Sequence, residues 1–147
     1  MDPANQPQVS RAGRLMTARI IWGAMLMGQI MFLAIIVLVI WANARPEQRL
    51  DDDLRRILLY AGVGMLVSGV LVGYLLRSKI AAPGSDGLID GGRYFTGNIL
   101  LWAMMEGASL FGLVMMMLDQ KAWPFLGIVI VAMAVQAINF PTGNGMK

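Results

Sequence analysis

Four long apolar runs dominate the chain, and nothing else in it constrains the fold as strongly. They cover residues 16–42, 54–76, 97–118 and 123–140. A hydrocarbon core of about 30 Å needs about 20 helical residues, each rising about 1.5 Å. The first three runs meet that length and the fourth is short. Lipid offers backbone groups no water, so only helices or closed barrels cross it. The runs lack the alternation of barrel strands, and the pattern therefore predicts helices. Hydrophobic residues make up 57% of the chain and charged residues 14%, against about 45–50% and about 25% in a soluble domain. Too few residues lie outside the runs for a separate soluble domain. Residues 1–147 are expected to form one all-α, polytopic membrane domain with four transmembrane helices and a flexible tail over 1–15. The first run follows basic residues, as a signal sequence would. It is far longer than the about 7–15 residues of a signal core, and no small-residue cleavage site follows, so it reads as a retained span.

The connections differ in kind. Residues 43–53 carry Arg45, Pro46, Glu47, Arg49 and the run Asp51-Asp52-Asp53. Those three acids immediately precede the second run, where they complement a helix dipole; metal binding is the weaker reading. Residues 77–96 hold Pro83, Gly84, Gly87, Gly91 and Gly92 and read as a flexible loop. Residues 119–122 are so few that the third and fourth helices must form an antiparallel hairpin. The N-terminus, the 77–96 loop and the C-terminus fall on one side with Arg11, Arg14, Arg19, Arg77, Lys79, Arg93 and Lys147. The other side has Arg45, Arg49, Arg55, Arg56 and Lys121. The basic side faces the cytoplasm by the positive-inside rule, which puts both termini there and suits a bacterial inner membrane. Trp22, Trp41, Trp102, Trp123, Tyr60, Tyr74 and Tyr94 fall mostly near the predicted ends, as interface anchors.

The first and third runs look alike. Residues 20–28 (IIWGAMLMG) lie over 99–107 (ILLWAMMEG) without a gap, and Phe32 then falls on Phe111. Read physically, the chain is two hairpins in the same orientation, a parallel repeat of the kind found in transporters.

The chain has no His and no Cys. That removes the usual zinc sites, thiolate and iron–sulfur chemistry, haem ligation through His, and Ser-His-Asp catalysis. No catalytic residue, no metal site and no cofactor are expected, and the chain reads as a non-enzyme. A net charge of +3 without a basic patch or motif gives no nucleic-acid partner. The 13 Met residues read as adaptable packing, because a copper relay would want His or Cys beside them.

Glu106 stands in an otherwise uncharged run, from Gly97 to Leu118. An ionisable group at that depth is costly and marks a partner or a function. Ala103, Ser109 and Leu110 share its helix face. Ala103 with Gly107 and Ala108 with Gly112 make small-xxx-small pairs that admit another backbone, so Glu106 is expected to face protein. The functional reading is a proton or cation site built from Glu106, Gln29 and Ser109; the plainer one is a neutral acid joining helices. Gln29 lies at matching depth in the first run, and its amide can meet Glu106 or bond elsewhere. Gln136 and Asn139 near the end of the fourth run read as satisfied interfacial amides. Gly62, Gly69 and Gly73 form a close-packing stripe on the second run, within a chain or between chains.

The second and third runs together resemble the proteolipid (c) subunit of rotary ATP synthases. The resemblance rests on Gly62, Gly64, Gly69 and Gly73, a polar loop, and Ala103-Met104-Met105-Glu106-Gly107-Ala108-Ser109. It implies a hairpin that assembles into rings, with Glu106 carrying one proton or sodium ion. The loop lacks that family's Arg-Gln-Pro signature, and two further runs flank the match. Residues 94–141, ending Asn139-Phe140-Pro141-Thr142, also look like small four-span bacterial membrane proteins of no assigned function. The leading expectation is a non-enzymatic membrane subunit assembling through Gly/Ala-rich faces, with copies of itself or in a larger complex. The alternative is an ion-translocating proteolipid-like protein using Glu106.

Overall fold

The computed structural model describes residues 11–43 and 50–146. It is an all-α bundle of four helices: α1 (Arg11–Asn43), α2 (Asp52–Ile80), α3 (Gly91–Asp119) and α4 (Phe125–Ile138). The first three are long and apolar enough to cross a membrane. Large hydrophobic side chains such as Leu38, Leu71 and Met117 lie exposed along them, as lipid contact requires. Each long helix outruns its apolar run. α1 takes in Arg11–Leu15, which the sequence reading gave to a flexible tail. α2 and α3 take in half of the expected 77–96 loop, leaving residues 81–90 between them. Residues 1–10, with most of that tail, and Arg45, Pro46, Glu47, Arg49 and Lys147 lie outside the described residues.

Local chemistry sets the boundaries. Asp51 caps α2 by accepting from Asp53 N at 3.2 Å, and Asp52 and Asp53 fill its first turn. That is the dipole role read from the acidic run. Asp90 caps α3 by accepting from Gly92 N at 2.9 Å and Arg93 N at 3.2 Å. This cap draws Gly91 and Gly92 into the helix although their composition reads as loop. α3 ends where Gln120 turns left-handed (φ 52°), and Gln120 Nε2 donates to the carbonyl of Met117 at 2.8 Å.

α3 is the hub. Half of its most apolar stretch is buried, against 17% for α2 and 11% for α1. α2, α4 and α1 all pack on it, whereas α1 and α2 scarcely meet. The hairpin expected from the first two runs is therefore open, and α1 is held by α3 and α4. Met105, Met116, Leu113, Phe125, Val129 and Ala132 form the centre of the core.

The glycines explain how close α3 comes to its neighbours. A Cβ on Gly62 would sit 2.6 Å from Ile128 Cδ1, and one on Gly73 would sit 2.7 Å from Leu101 Cδ1. On Gly112 it would meet Val129 Cγ2 at 2.8 Å and the Phe125 carbonyl oxygen at 3.2 Å. A Cβ on Gly69 would meet Met105 Cε at 3.2 Å, and Ala108 is fully buried. The small-residue stripe is thus used inside the chain.

The return stroke differs from expectation. At 14 residues α4 is about 21 Å long, short of a hydrocarbon core. The chain then continues without helix through residues 140–143 and forms a single bridge between Met146 and Ile89. Together these segments run back along α3, and Arg11 Nη2 donates to the Gly143 carbonyl at 3.1 Å. The described ends of the chain therefore lie at the same end of the bundle.

Candidate functional site

Three polar layers divide the bundle along its length. The first closes one end. Asp119, the last residue of α3, is fully buried and faces Arg55 on the first turn of α2. Arg55 Nε donates to Asp119 Oδ2 at 3.0 Å and Nη2 to Oδ1 at 3.0 Å, while the backbone N–H of Leu50 donates to Oδ1 at 3.3 Å. Arg55 also pairs with Asp52 through Nη1. A buried carboxylate is tolerable only with such a set of donors, and here they tie α2 to α3. The sequence reading counted Asp119 as a loop charge and missed this.

The second layer lies midway. Gln29 on α1 is buried, and its Nε2 donates to Oε1 of Gln136 on α4 at 2.7 Å. The hydrogen bond the structure shows for Gln29 therefore goes to Gln136, not to Glu106. Gln136 is itself fully buried, so it is no interfacial amide: α4 ends at Ile138 and leaves Gln136 against α1. Trp22 Nε1 donates to the Gln136 carbonyl at 2.8 Å. Ser109 is fully buried as well. Gln29 Oε1, Gln136 Nε2 and Ser109 Oγ have no hydrogen-bond partner among the described residues.

Glu106 lies on the border of this layer. Its i+3 neighbour Ser109 is buried, but Ala103 (i−3) and Leu110 (i+4) are exposed. The Glu106 side chain is half-buried and makes no ion pair or hydrogen bond to any described residue. The protein face expected for Glu106 is only partly supplied by this chain: Trp102 and Ser109 beside it are buried, while Ala103 and Leu110 leave an exposed edge. Beside it a groove of about 280 Å³ opens between α2 and α3, lined by Met65, Ser68, Gly69, Val72, Ala103 and Gly107. A Cβ on Gly107 would find only Met65 Cε, at 3.4 Å. Gly69 and Gly107 line this groove and a Cβ on Gly64 would meet nothing within 4 Å, whereas Gly62, Gly73, Ala108 and Gly112 are packed against the chain's own atoms.

The third layer closes the basic end around residues 139–145. Non-helical backbone at this depth needs outside donors and acceptors, and side chains supply most of them. Trp102 Nε1 donates to the Asn139 carbonyl at 3.1 Å, Arg19 Nε to that of Pro141 at 3.3 Å, and Gly143 N to the Tyr94 hydroxyl at 3.0 Å. Ile89 N donates to the Gly145 carbonyl at 2.7 Å. Phe140 meets Trp22 edge-on at 5.0 Å between centroids, and the Arg19 guanidinium lies 5.3 Å from its ring centre. Trp102 and Tyr94 are thus buried fasteners rather than interface anchors, whereas Trp41 and Trp123 are exposed as anchors should be. Asn139 is satisfied: Oδ1 accepts from Arg77, and Nδ2 donates to the Tyr74 hydroxyl at 2.6 Å and the Val135 carbonyl at 2.8 Å.

Among the described residues no group of three or more acidic side chains is placed to hold a metal ion. No family model, no curated protein and no solved structure matches the chain.

Proposed function

We propose that this chain is a small non-enzymatic integral membrane subunit that docks on another membrane protein through the outer edge of α3. The observation that carries the reading is Glu106: an acid near the middle of a membrane helix, half-buried, with no partner among the described residues. Such a group is held in lipid by a hydrogen-bonding or charged neighbour. Ala103 and Gly107, on the adjoining edge of α3, line the α2–α3 groove, and small residues of this kind admit the close approach of another backbone. Gly62, Gly73, Ala108 and Gly112 take no part in this docking, because the chain's own helices fill their space, whereas Gly69 lines the groove. The docked partner is a second copy or another subunit, and the basic end with both termini faces the cytoplasm of a bacterial cell.

The test is native mass measurement after mild extraction. The wild-type chain is expected to leave the membrane with bound protein. Glu106→Leu should release that partner, and Glu106→Gln, which still donates and accepts, should hold it more weakly. Monomers of the wild type and of Glu106→Leu alike would contradict the reading.

A second reading rests on a separate observation. Ser109 Oγ and Gln29 Oε1 are buried oxygens without partners, and Ser109 is one helical turn from Glu106. Oxygens of this kind suit a proton relay or a hard cation, and the resemblance to the rotary proteolipid points the same way. Liposome flux separates the two readings. Proton or sodium flux that vanishes in Glu106→Gln with assembly intact supports translocation; a wild type without flux rules it out.

A further inference from the structure

The basic end holds a cavity of about 390 Å³ between the end of α2, the start of α3 and the C-terminal segment. Tyr74, Arg77, Ser78, Tyr94, Thr142 and Asn144 line it, and no acidic side chain does. We infer that this cavity binds the phosphate of an anionic phospholipid, with Arg77 as the charged contact. The argument is an excess of donors. The one hydrogen-bond partner shown for Arg77 is the neutral amide oxygen of Asn139, and no carboxylate among the described residues pairs with it. Its remaining guanidinium N–H groups are therefore available. The hydroxyl oxygens of Tyr74, Tyr94 and Thr142 each accept a hydrogen bond, from Asn139 Nδ2, Gly143 N and Asn144 N. Each O–H hydrogen is thus left to donate.

A guanidinium with several hydroxyl donors matches the oxygens of a phosphate better than any other common membrane group. The level in the bilayer agrees. Arg77 and Tyr74 lie in the last turns of a membrane-spanning helix, where headgroups lie. Ala81 and Ile89 give the cavity an apolar wall suited to the start of a lipid tail. The lack of a lining carboxylate also selects among lipids: a glycerol headgroup is accepted, whereas a choline cation would lie against Arg77 with nothing to balance it.

The full chain is reconstituted in nanodiscs of equal phosphatidylglycerol and phosphatidylcholine, and the lipid retained after extraction is measured by native mass spectrometry. Retention should favour phosphatidylglycerol about tenfold, as expected for a charge-assisted contact. Arg77→Gln should abolish that preference, Arg77→Lys should keep part of it, and Tyr74→Phe should weaken it a few-fold. Equal retention of the two lipids by the wild type, or an unchanged preference in Arg77→Gln, overturns the inference. If Arg77→Gln does not fold, unchanged preference in both Arg77→Lys and Tyr74→Phe overturns it instead. Inorganic phosphate forms a separate arm. Arg77-dependent thermal protection by millimolar phosphate, matching that of phosphatidylglycerol, would show that a free anion is the ligand and overturn the lipid assignment.

Discussion

α1 and α3 share a nine-residue pattern in which Ile, Ala, Met and Gly recur in register, yet they occupy opposite situations. In each the alanine of the shared segment (Ala24, Ala103) is exposed and the methionine after it (Met25, Met104) is half-buried. Both helices run the same way, since each descends the returning segment as its own numbering rises: Arg11 meets Gly143 and Gln29 meets Gln136, while Tyr94 meets Gly143 and Gly112 meets Val129. But α3 is the hub of the bundle and α1 lies on its rim. Apolar character cannot produce that difference, because α1 is as apolar as α3. Lipid removes the hydrophobic drive between helices and leaves packing fit and polar contacts to decide. α3 has Gly97 and Gly112 in contact with neighbours and Asp119 in an ion pair. On α1 a Cβ at Gly23 or Gly28 would meet nothing within 4 Å. The shared sequence makes two helices; the residues that differ decide which becomes the centre.

The contrast can be broken most severely at Asp119. Asp119→Ala removes the buried carboxylate that ties Arg55 and the Leu50 N–H to the end of α3, leaving Arg55 only Asp52 and the Leu50 carbonyl, and should give the largest loss of stability of the changes considered. Thermal unfolding in detergent reads the loss, and adding Arg55→Gln should restore part of it. Next come the glycines. Gly112→Ala presses a methyl group against Val129 and the Phe125 carbonyl, for about 1–3 kcal/mol of destabilisation. Gly28→Ala on α1 meets open space and should be neutral or stabilising by up to about 1 kcal/mol from helix propensity. Equal effects at the two sites would contradict the account. The amide pair ranks third. Gln29→Leu leaves the Gln136 amide without its partner, for roughly 0.6–1.7 kcal/mol, and the double change to Leu should recover most of that.

The smallest effect is a pH dependence at the start of α3. Hydrogen bonds from the N–H groups of Arg93 and Gly92 hold the Asp90 carboxyl below its usual value, helped by the Arg14 and Arg93 charges. A depressed acid stabilises the fold above its unfolded value of about 3.9 and loses that contribution as pH falls through the lower folded value. The protection factors of the Gly92 and Arg93 amides should therefore fall in acid, and Asp90→Asn should remove most of the dependence.

Helix number and order were legible in the sequence because apolar length and turn chemistry are local. Depth and partners were not. Gln136 read as interfacial because the fourth run was taken as helix through Phe140, whereas the helix stops at Ile138 and extended backbone completes the return. Asp119 falls in the short 119–122 connection by sequence, where nothing near it names Arg55 as its partner. The glycine stripe of α2 was legible as a packing face, but a stripe cannot say whose helix fills it. Glu106 is the one charged residue of its run in the sequence; the structure adds that it sits on an edge of α3, with Trp102, Ser109 and Leu113 on its own face buried and Ala103 and Leu110 exposed.

The central claim is that a second protein surface covers the edge of α3 at Glu106. The chain has no cysteine, so a single cysteine carrying a photoreactive label can be placed at Leu110, beside that acid, and for comparison at Leu38, on the lipid face of α1. In native membranes the label at 110 should yield a protein adduct of defined mass that disappears in Glu106→Leu, and the label at 38 should yield lipid adducts only. Lipid adducts alone from both positions would contradict the account.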